Sequence, residues 1–292
     1  MKKSKVFQGI CFITVGHTRR TNLEHQPNIV LTQEQINFFW DNGFLAIEQI
    51  SSPAEIEIMR AAYDKIFQQR AGRDEGNQFD LAGTDEDGKQ AALPQILNPA
   101  KYAPELKDTL AEANARSIAK QLFARMGNPE LVTGGVAHAI FKPARVGAPT
   151  PWHQDEAYWN PLVDPISLSV WMPLQPATPE NGCMQFIPGT HQWEVEEHHS
   201  INHDPRIHGL EIDEKVEVDY SKAVVCPLPA GGCTLHLSRT LHYTGPNHSE
   251  MPRRALIMGF QLPGRPYQGE RRFIWNEIKT TAREERSSMK AA

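Results

Sequence analysis

The residues with the clearest capacity for chemistry in this chain are His153 and Asp155, which stand two positions apart. Side chains at positions i and i+2 of a strand point to the same face, so the pair could bind one ion if this stretch is a strand. A histidine and a carboxylate, completed by a distant second histidine, form the facial triad that holds Fe(II) in non-haem oxygenases and leaves metal positions open. An isolated His-x-Asp triplet is a weak signal. The rest of the chain has to supply its partners.

The second histidine that this hypothesis needs is His242. Turn residues follow it at 245–247, and residues 252–260 then return as a strand, which predicts a hairpin. If His242 and Arg253 face each other across that hairpin, a guanidinium lies close to the metal. There it could bind the far carboxylate of a 2-oxo acid whose other end chelates the metal. Arg254 is the alternative, because neighbours in a strand face opposite ways.

Several of these side chains leave two interpretations open. His153, Asp155 and His242 could form a hydrogen-bonded structural cluster instead of a metal site. Tyr158 and Trp159 follow closely and could line a substrate pocket, although aromatic core packing explains them nearly as well.

The remaining histidines are weaker candidates. His236 is as well explained as a core residue as by support of the metal site, and His191 is predicted to close a turn. A solvated loop is favoured over substrate contact for four others, which are His198, His199, His203 and His208.

Length and composition limit the class of protein. The chain has 292 residues, enough for two average domains or one large all-β domain with helices. Its formal charge of −5 lacks the dominant basic balance typical of nucleic-acid binding. No run approaches the roughly 20 apolar residues of a membrane span, and residues 1–15 are predicted to be an irregular leader.

The four cysteines show neither Cys-x-x-Cys nor zinc spacing. Buried free thiols in a reducing, cytoplasmic compartment are therefore predicted, with a Cys226–Cys233 pair as the less favoured alternative.

Helical patterns come first along the chain. A helix capped by Thr32 and stopped by Gly43 precedes a short strand at 44–47, and further helices are predicted at 53–70 and 107–126. Residues 71–89 are predicted to be a mobile loop that could act as a lid.

Short strands dominate after residue 131. They are predicted at 136–141, 166–174, 184–187, 223–225, 233–237 and 256–262. The order of elements predicts an α+β, mainly β fold, in which N-terminal helices buttress a double-stranded β-helix (jelly-roll, cupin-like) core. The predicted division is an irregular tail at 1–30, a single domain at 31–265 and a charged C-terminal extension at 266–292, plausible as a surface helix at 271–290.

Separated motifs make the chain resemble the phytanoyl-CoA dioxygenase (PhyH) family of Fe(II)/2-oxoglutarate-dependent oxygenases over residues 32–262. They are Phe141-Lys142-Pro143, Trp152-His153-Gln154-Asp155, Val170-Trp171-Met172-Pro173-Leu174, Thr178-Pro179-Glu180-Asn181-Gly182-Cys183, Ile187-Pro188-Gly189-Thr190-His191 and the block at 242–255. By this resemblance the iron ligands are His153, Asp155 and His242, and Arg253 binds the distal carboxylate of 2-oxoglutarate. The resemblance alone also places His138 and Gln95 beside the cosubstrate.

Three departures from the family pattern bear on the expected chemistry. Thr190 replaces a more usual serine and keeps the hydroxyl, whereas Val136 stands where glutamine is frequent, which removes a polar contact to 2-oxoglutarate. Asp155 is intact, unlike the carboxylate position of related halogenases, which favours hydroxylation.

The resemblance implies a dioxygenase that uses Fe(II), 2-oxoglutarate and O2. Such an enzyme hydroxylates an unactivated C–H bond of a small organic substrate and releases succinate and CO2. A non-catalytic 2-oxo-acid-binding module or sensor is the alternative, and a hydrolase or isomerase using another divalent metal is less favoured. No nucleic acid or membrane is expected as a partner. Acyl-CoA, an amino or phosphonic acid and a secondary metabolite all remain compatible as substrates, and a positively charged pocket mouth would favour an anion.

Overall fold

The computed structural model describes residues 25–86 and 88–291. Cys11 and the predicted leader lie outside the described residues. Residues 25–30 carry no regular secondary structure. The division of the chain at residues 30 and 265 stays a prediction.

Three N-terminal helices begin at side-chain caps, and the first of these caps is the predicted Thr32. Helix α1 (Gln33–Asn42) opens with a capping box, in which Thr32 and Gln35 each accept a hydrogen bond from the other's backbone N–H. It ends at Gly43, whose φ of 84° closes the last turn in the left-handed region. Helices α2 (Pro53–Gln68) and α3 (Leu110–Phe123) have simpler caps, in which the hydroxyls of Ser52 and Thr109 accept from the backbone N–H groups of Glu55 and Glu112.

The strands of the described residues build two main antiparallel sheets. In chain order they are β1 (Phe44–Ile47), β2 (Gln78–Asp80), β3 (Pro94–Leu97), β4 (Thr133–Lys142), β5 (Thr150–His153), β6 (Val163–Pro173), β7 (Met184–Phe186), β8 (His198–Ser200), β9 (Leu210–Ile212), β10 (Val224–Cys226), β11 (Cys233–Leu237), β12 (His242–Thr244) and β13 (Arg253–Pro266). The larger sheet has the order β1-β11-β6-β13-β4-β3-β2, and the smaller has the order β10-β7-β12-β5. Strands β8 and β9 pair separately. The predicted double-stranded β-helix is confirmed.

The two faces of the larger sheet have different partners. Because successive side chains of a strand alternate, Val170 and Leu256 point to the helices and join the main core with residues such as Leu122. Trp171 and Ala255 point the other way and join a smaller apolar cluster that faces the second sheet. The same alternation decides which polar residues of β4, β6, β11 and β13 reach the space between the sheets.

The described part of residues 71–89 contains regular structure where the sequence predicts a loop. They contain β2, and the buried carboxylate of Asp80 accepts hydrogen bonds from the backbone N–H groups of Ala82, Ala92 and Leu93 at 2.9–3.1 Å. Asp85 in turn accepts from the backbone N–H of Asp80 at 2.9 Å. The sequence pattern missed β2 and β3 because both strands are short and gain their partners from distant residues.

The C-terminal residues form two helices instead of one, α4 (Ile274–Glu277) and α5 (Ala282–Ala291). Phe273 and Trp275 are buried in a cluster with Ala157 and Leu210. This segment therefore packs onto the domain beside the turn that follows β5.

Cys183, Cys226 and Cys233 are buried free thiols, as predicted. Within the described residues, no helix is long and apolar enough to cross a membrane. The cytoplasmic location stays a prediction.

Candidate functional site

The His-x-Asp pair spans the end of a strand. His153 is the last residue of β5, whereas Asp155 opens a 3-10 helical turn, Asp155–Tyr158. The prediction that both residues lie in one strand is therefore wrong for Asp155. The strand stops because the backbone N–H of Ala157 donates to Gln154 O at 3.1 Å and so begins the turn. This turn still leaves Oδ1 of Asp155 3.6 Å from Nε2 of His153.

His242 lies directly opposite His153, because β12 pairs with β5 in that register. The Nδ1 atom of each ring lies by a backbone carbonyl, Pro151 O at 2.7 Å and Thr240 O at 2.9 Å. A carbonyl oxygen can only accept, so Nδ1 carries the proton in both rings. Burial lowers the pKa of His242 well below its usual value, and the nearby His153 and His236 act in the same direction. The neutral His242 ring therefore presents the lone pair of Nε2, the form that binds a metal.

The two carboxylate oxygens of Asp155 have different neighbours. Oδ1 lies 3.6 Å from Nε2 of His153 and 3.5 Å from Nε2 of His242. Oδ2 accepts a hydrogen bond from Oγ of Ser169 at 2.6 Å and lies 3.2 Å from Nε2 of His236. Burial alone would raise the pKa of Asp155, but His242, His153 and His236 outweigh it and hold the pKa well below its usual range. Asp155 is thus ionised, and its Oδ1 lies between the two imidazole rings.

These three donor atoms lie within 4.8 Å of one another. Two imidazole nitrogens and one carboxylate oxygen are the donors that Fe(II) takes in a facial triad, so the residues present fit that ion. Both imidazoles are oriented by a second hydrogen bond, which is the usual support for a metal-binding histidine.

A cavity of about 580 Å³ opens from the triad between the two sheets. All of the predicted site residues line it, namely Gln95, His138, His153, Asp155, Tyr158, Trp159, His242 and Arg253. Its volume is typical of a site for small molecules.

Arg253 reaches the cavity as a buried cation, with 1% of its surface exposed. Its Nε and Nη1 atoms have no hydrogen-bond partner among the described residues, and its guanidinium stacks on Trp171 at 5.3 Å. Burial lowers the pKa of Arg253 to about 10, which leaves it charged at neutral pH. An unpaired buried guanidinium requires an anion, and the distal carboxylate of 2-oxoglutarate fits this requirement.

Strand alternation separates Arg253 from its neighbour. Arg254 points to the helix side, where Nε and Nη2 contact Oδ1 and Oδ2 of Asp64 at 2.5 and 2.9 Å. The hairpin predicted between His242 and Arg253 is wrong, because β12 and β13 belong to different sheets. The two side chains enter the cavity from opposite walls.

The family-like motifs outside the triad act as braces. Nζ of the buried Lys142 donates to three backbone carbonyls, those of Ala148, Thr244 and Gly245, at 2.5–3.2 Å. The hydroxyl of Thr190 accepts from the backbone N–H of Leu241 at 2.8 Å, next to His242. These contacts hold β12 in the position that His242 needs.

His191 lies 3.0 Å from Trp40 O through Nε2, consistent with its predicted place in a turn. The prediction of a solvated loop is wrong for His198 and His208. His198 is buried and accepts from the backbone N–H of Gln154 at 3.1 Å, and His208 lines the cavity. Only His203 of the four is exposed, and with His199 it lies by Glu214 away from the cavity.

Sequence reasoning missed Ser169 and Arg283, which also line the cavity. Ser169 is a serine next to the apolar Val170-Trp171-Met172 stretch of β6, and a hydroxyl in such a place usually has a partner. Arg283 lies in the charged C-terminal segment, where Phe273 and Trp275 were the signal that the segment docks on the domain.

A double-stranded β-helix that presents two histidines and one carboxylate in an internal cavity defines a non-haem Fe(II) oxygenase. Comparison with known proteins specifies the family. The model of the phytanoyl-CoA dioxygenase (PhyH) family matches residues 39–255, and the chain belongs to this family.

Relatives and solved structures agree with this assignment. A protein of Stutzerimonas stutzeri named "Probable alpha-ketoglutarate-dependent hypophosphite dioxygenase" is 36% identical, covering 78% of this chain and 77% of its own. Human peroxisomal phytanoyl-CoA dioxygenase is 26% identical over 80% of this chain and 69% of its own. The crystal structure of EvdO2 from Micromonospora carbonacea var. aurantiaca complexed with 2-oxoglutarate superposes with a TM-score of 0.71 at 36% identity, covering 84% and 97% of the two chains. The predicted class, an Fe(II)/2-oxoglutarate-dependent dioxygenase, is confirmed.

Proposed function

We propose that this chain hydroxylates an unactivated C–H bond of a small organic substrate, with release of succinate and CO2. One observation carries the proposal. The same cavity holds a bare carboxylate oxygen between two imidazole nitrogens and, from the opposite wall, a buried guanidinium without a partner. The first arrangement suits Fe(II), and the second suits the far end of 2-oxoglutarate.

In this proposal His153, Asp155 and His242 hold the iron. Bound together, Fe(II), 2-oxoglutarate and O2 supply the oxidant, since decarboxylation to succinate provides two of the four electrons that O2 requires and the substrate C–H bond provides the others. The chain's own task is to fix the three ligands before the metal arrives. The carbonyl contacts of both Nδ1 atoms and the hold of Ser169 and His236 on Asp155 perform it.

Arg253 binds the distal carboxylate of 2-oxoglutarate, and Gln95 and His138 contact the cosubstrate from β3 and β4. Gln95 is buried and offers an amide, whereas burial lowers the pKa of His138 and keeps its ring neutral. Neutral donors beside one cation orient a dianion without adding charge.

Tyr158 and Trp159 bind the substrate at the mouth. The Tyr158 hydroxyl accepts from the backbone N–H of Leu210 at 2.7 Å, which fixes the ring edge-on to His153 at 5.9 Å. Trp159 is 39% exposed and stands at the solvent side of the cavity. A substrate packed against these rings would exclude water from the metal face.

Succinate release tests the proposal. Purified chain with Fe(II), 2-oxoglutarate and O2 should release succinate above background, and a substrate from the compatible classes should stimulate it. His153→Ala and Asp155→Ala should abolish iron binding and turnover. Succinate release by either variant at the wild-type rate would overturn the assignment.

The alternative of a non-catalytic sensor makes a different prediction. A sensor would bind 2-oxoglutarate at equilibrium and release no succinate under O2 with any member of the substrate panel. A hydrolase would act without O2 and would have no use for Arg253.

The substrate itself is not set by the family. One relative is named after hypophosphite, an inorganic phosphorus anion, and another after phytanoyl-CoA, an acyl-CoA thioester. These two compounds differ greatly in size.

A further inference from the structure

The C-terminal segment forms part of the active-site wall, although it lies beyond residues 39–255 that the family model matches. Nε1 of Trp275 and Nδ2 of Asn276 donate to Ala157 O at 2.8 and 2.7 Å. Ala157 belongs to the turn that begins with Asp155. The segment is therefore attached directly to the turn that carries a proposed iron ligand.

Helix α5 is held at its other side by Glu75 and Asp85. Oγ of Ser287 donates to Glu75 O at 3.1 Å, and the guanidinium of Arg286 pairs with Asp85. These contacts place Arg283 in the lining of the cavity and Lys279 beside the ring of Tyr158.

Arg283 lines the cavity with a guanidinium that has no carboxylate partner among the described residues. Its Nε atom is inaccessible to solvent and makes no hydrogen bond, and the group lies over the ring of Phe79 at 5.1 Å. The residue is half-buried, and its inaccessible Nε–H is a donor that an anion in the cavity could satisfy.

Lys279 adds a second cation behind the cavity wall. Its Nζ atom is inaccessible to solvent and has no partner, and it lies 5.0 Å from the ring centre of Tyr158. The nearby carboxylate of Glu284 accepts instead from the backbone and hydroxyl of Thr281. Burial lowers the pKa of Lys279 to about 8, so the ammonium form still predominates at neutral pH.

The charges of the cavity are unbalanced once the proposed cofactors are counted. Fe(II) offsets the two carboxylates of 2-oxoglutarate, and Asp155 offsets Arg253. Arg283 then remains as a lining cation, and the described residues lining the cavity include no carboxylate besides Asp155. Lys279 lies outside this lining, and Glu284 is the carboxylate whose charge acts on both cations.

We infer that the substrate is an organic anion whose oxyanion group, a carboxylate or a phosphonate, is bound by Arg283 in the field of Lys279. The fork of a guanidinium matches both oxyanions in a bidentate geometry. His208, kept neutral by burial at the same wall, can donate one further hydrogen bond. The inference rests on the proposed function, because Arg253 is assigned to 2-oxoglutarate.

Direct titration tests this subsite. Acetate and methylphosphonate are the anionic probes, and acetamide is the neutral isostere of acetate. Each probe is titrated, without O2, into the full chain loaded with Fe(II) and 2-oxoglutarate, and calorimetry measures its binding. We expect at least one oxyanion to bind the wild type and acetamide not to bind, and the two arms identify which oxyanion is preferred.

Arg283→Met should weaken the binding of the preferred oxyanion by about 10- to 100-fold, the loss expected for hydrogen bonds to a charged group. Arg283→Lys keeps the charge without the fork and should lose less. Arg272→Met is the matched control, since it removes an exposed arginine of the same segment and the same unit of net charge. It should bind as the wild type does.

Three results would overturn the inference: binding of acetamide as tight as that of acetate, unchanged oxyanion binding by Arg283→Met, or no binding of either oxyanion to the wild type. Loss of 2-oxoglutarate affinity in Arg283→Met would also overturn it, because Arg283 would then serve the cosubstrate. Failure of the wild type to bind 2-oxoglutarate contradicts the proposed function instead. Repeating the oxyanion titration on the metal-free chain separates the conclusion about the oxyanion subsite from the conclusion about the proposed function.

Discussion

Nε2 of His236 lies 3.2 Å from Oδ2 of Asp155, whereas Oδ1 is the oxygen that lies near His153 and His242. Ser169 donates to the same oxygen at 2.6 Å. Residues of two strands of the larger sheet, β11 and β6, therefore hold Oδ2 of Asp155. Its other oxygen, Oδ1, remains available. Asp155 sits in a short turn, so its orientation depends on these contacts more than on its own backbone.

Ser169→Ala should weaken Fe(II) binding by about 10- to 100-fold, the usual effect of losing a partner that orients a metal ligand. The loss arises because the carboxylate of Asp155 can rotate once Oδ2 lacks its hydroxyl donor. Anaerobic Fe(II) titration measures it. Ser167→Ala is the control, since Ser167 is a buried serine of the same strand whose hydroxyl has no partner. Equal affinities for both variants would contradict the positioning role of Ser169.

Arg253→Met should weaken the binding of 2-oxoglutarate by about 100-fold or more, because the distal carboxylate would lose its charged partner. Iron affinity without 2-oxoglutarate should change little. Arg254→Met is the matched neighbour: it breaks the contact with Asp64 on the helix side and should keep the wild-type affinity for 2-oxoglutarate. The charge-transfer absorption of the Fe(II)–2-oxoglutarate complex reports both values. If Arg254→Met lost more affinity for 2-oxoglutarate than Arg253→Met, the assignment of the cosubstrate to Arg253 would be wrong.

The stability of the metal-free chain should fall as the pH drops below about 6.5. His198 is buried and accepts from the backbone N–H of Gln154, and burial lowers its pKa to about 3. The unfolded chain takes up this proton near the ordinary pKa and the folded chain does not. Stability is therefore complete above the ordinary pKa and is lost as the pH falls towards the folded value, at roughly 1.4 kcal/mol per pH unit.

Urea unfolding at several pH values between about 7 and 5 measures this slope. His198→Gln should make the slope shallower by that amount. The exposed His203 supplies the control, and His203→Gln should leave the slope as it is in the wild type. Identical slopes for wild type and His198→Gln would exclude His198 as the cause.

Leu122→Ala should lower the free energy of unfolding by about 2–5 kcal/mol, since a fully buried leucine of α3 leaves a cavity against the larger sheet. Ile58 on α2 is 58% exposed, and Ile58→Ala should change stability by no more than about 0.5 kcal/mol. Denaturant melts of the two variants make the comparison. A small effect of Leu122→Ala would mean that the helices contribute little to holding the sheet.

Local patterns were sufficient for much of the fold. The Thr32 cap, the Gly43 stop and the apolar stripe of α2 are properties of neighbouring residues, and they predicted the helices closely. The residues expected to form the site also line one cavity. They could be predicted because His153, His242 and Arg253 lie in motifs of a recognisable family.

Contacts between distant residues decided the rest. The turn at Asp155 depends in part on Ser238 O, which accepts from the backbone N–H of Glu156 at 3.1 Å. Arg283 reaches the cavity only because Trp275 and Asn276 bind the same turn. Neither partner can be inferred from spacing along the chain.

The direct register between His153 and His242 also orders events during folding. The two proposed ligands belong to strands that are far apart in the chain, so the proposed metal site is complete only when β5 and β12 have met. Closing so long a loop is slow compared with forming α1 or α2. Iron would consequently be captured by a barrel that has already closed, and would lock the finished fold instead of nucleating it.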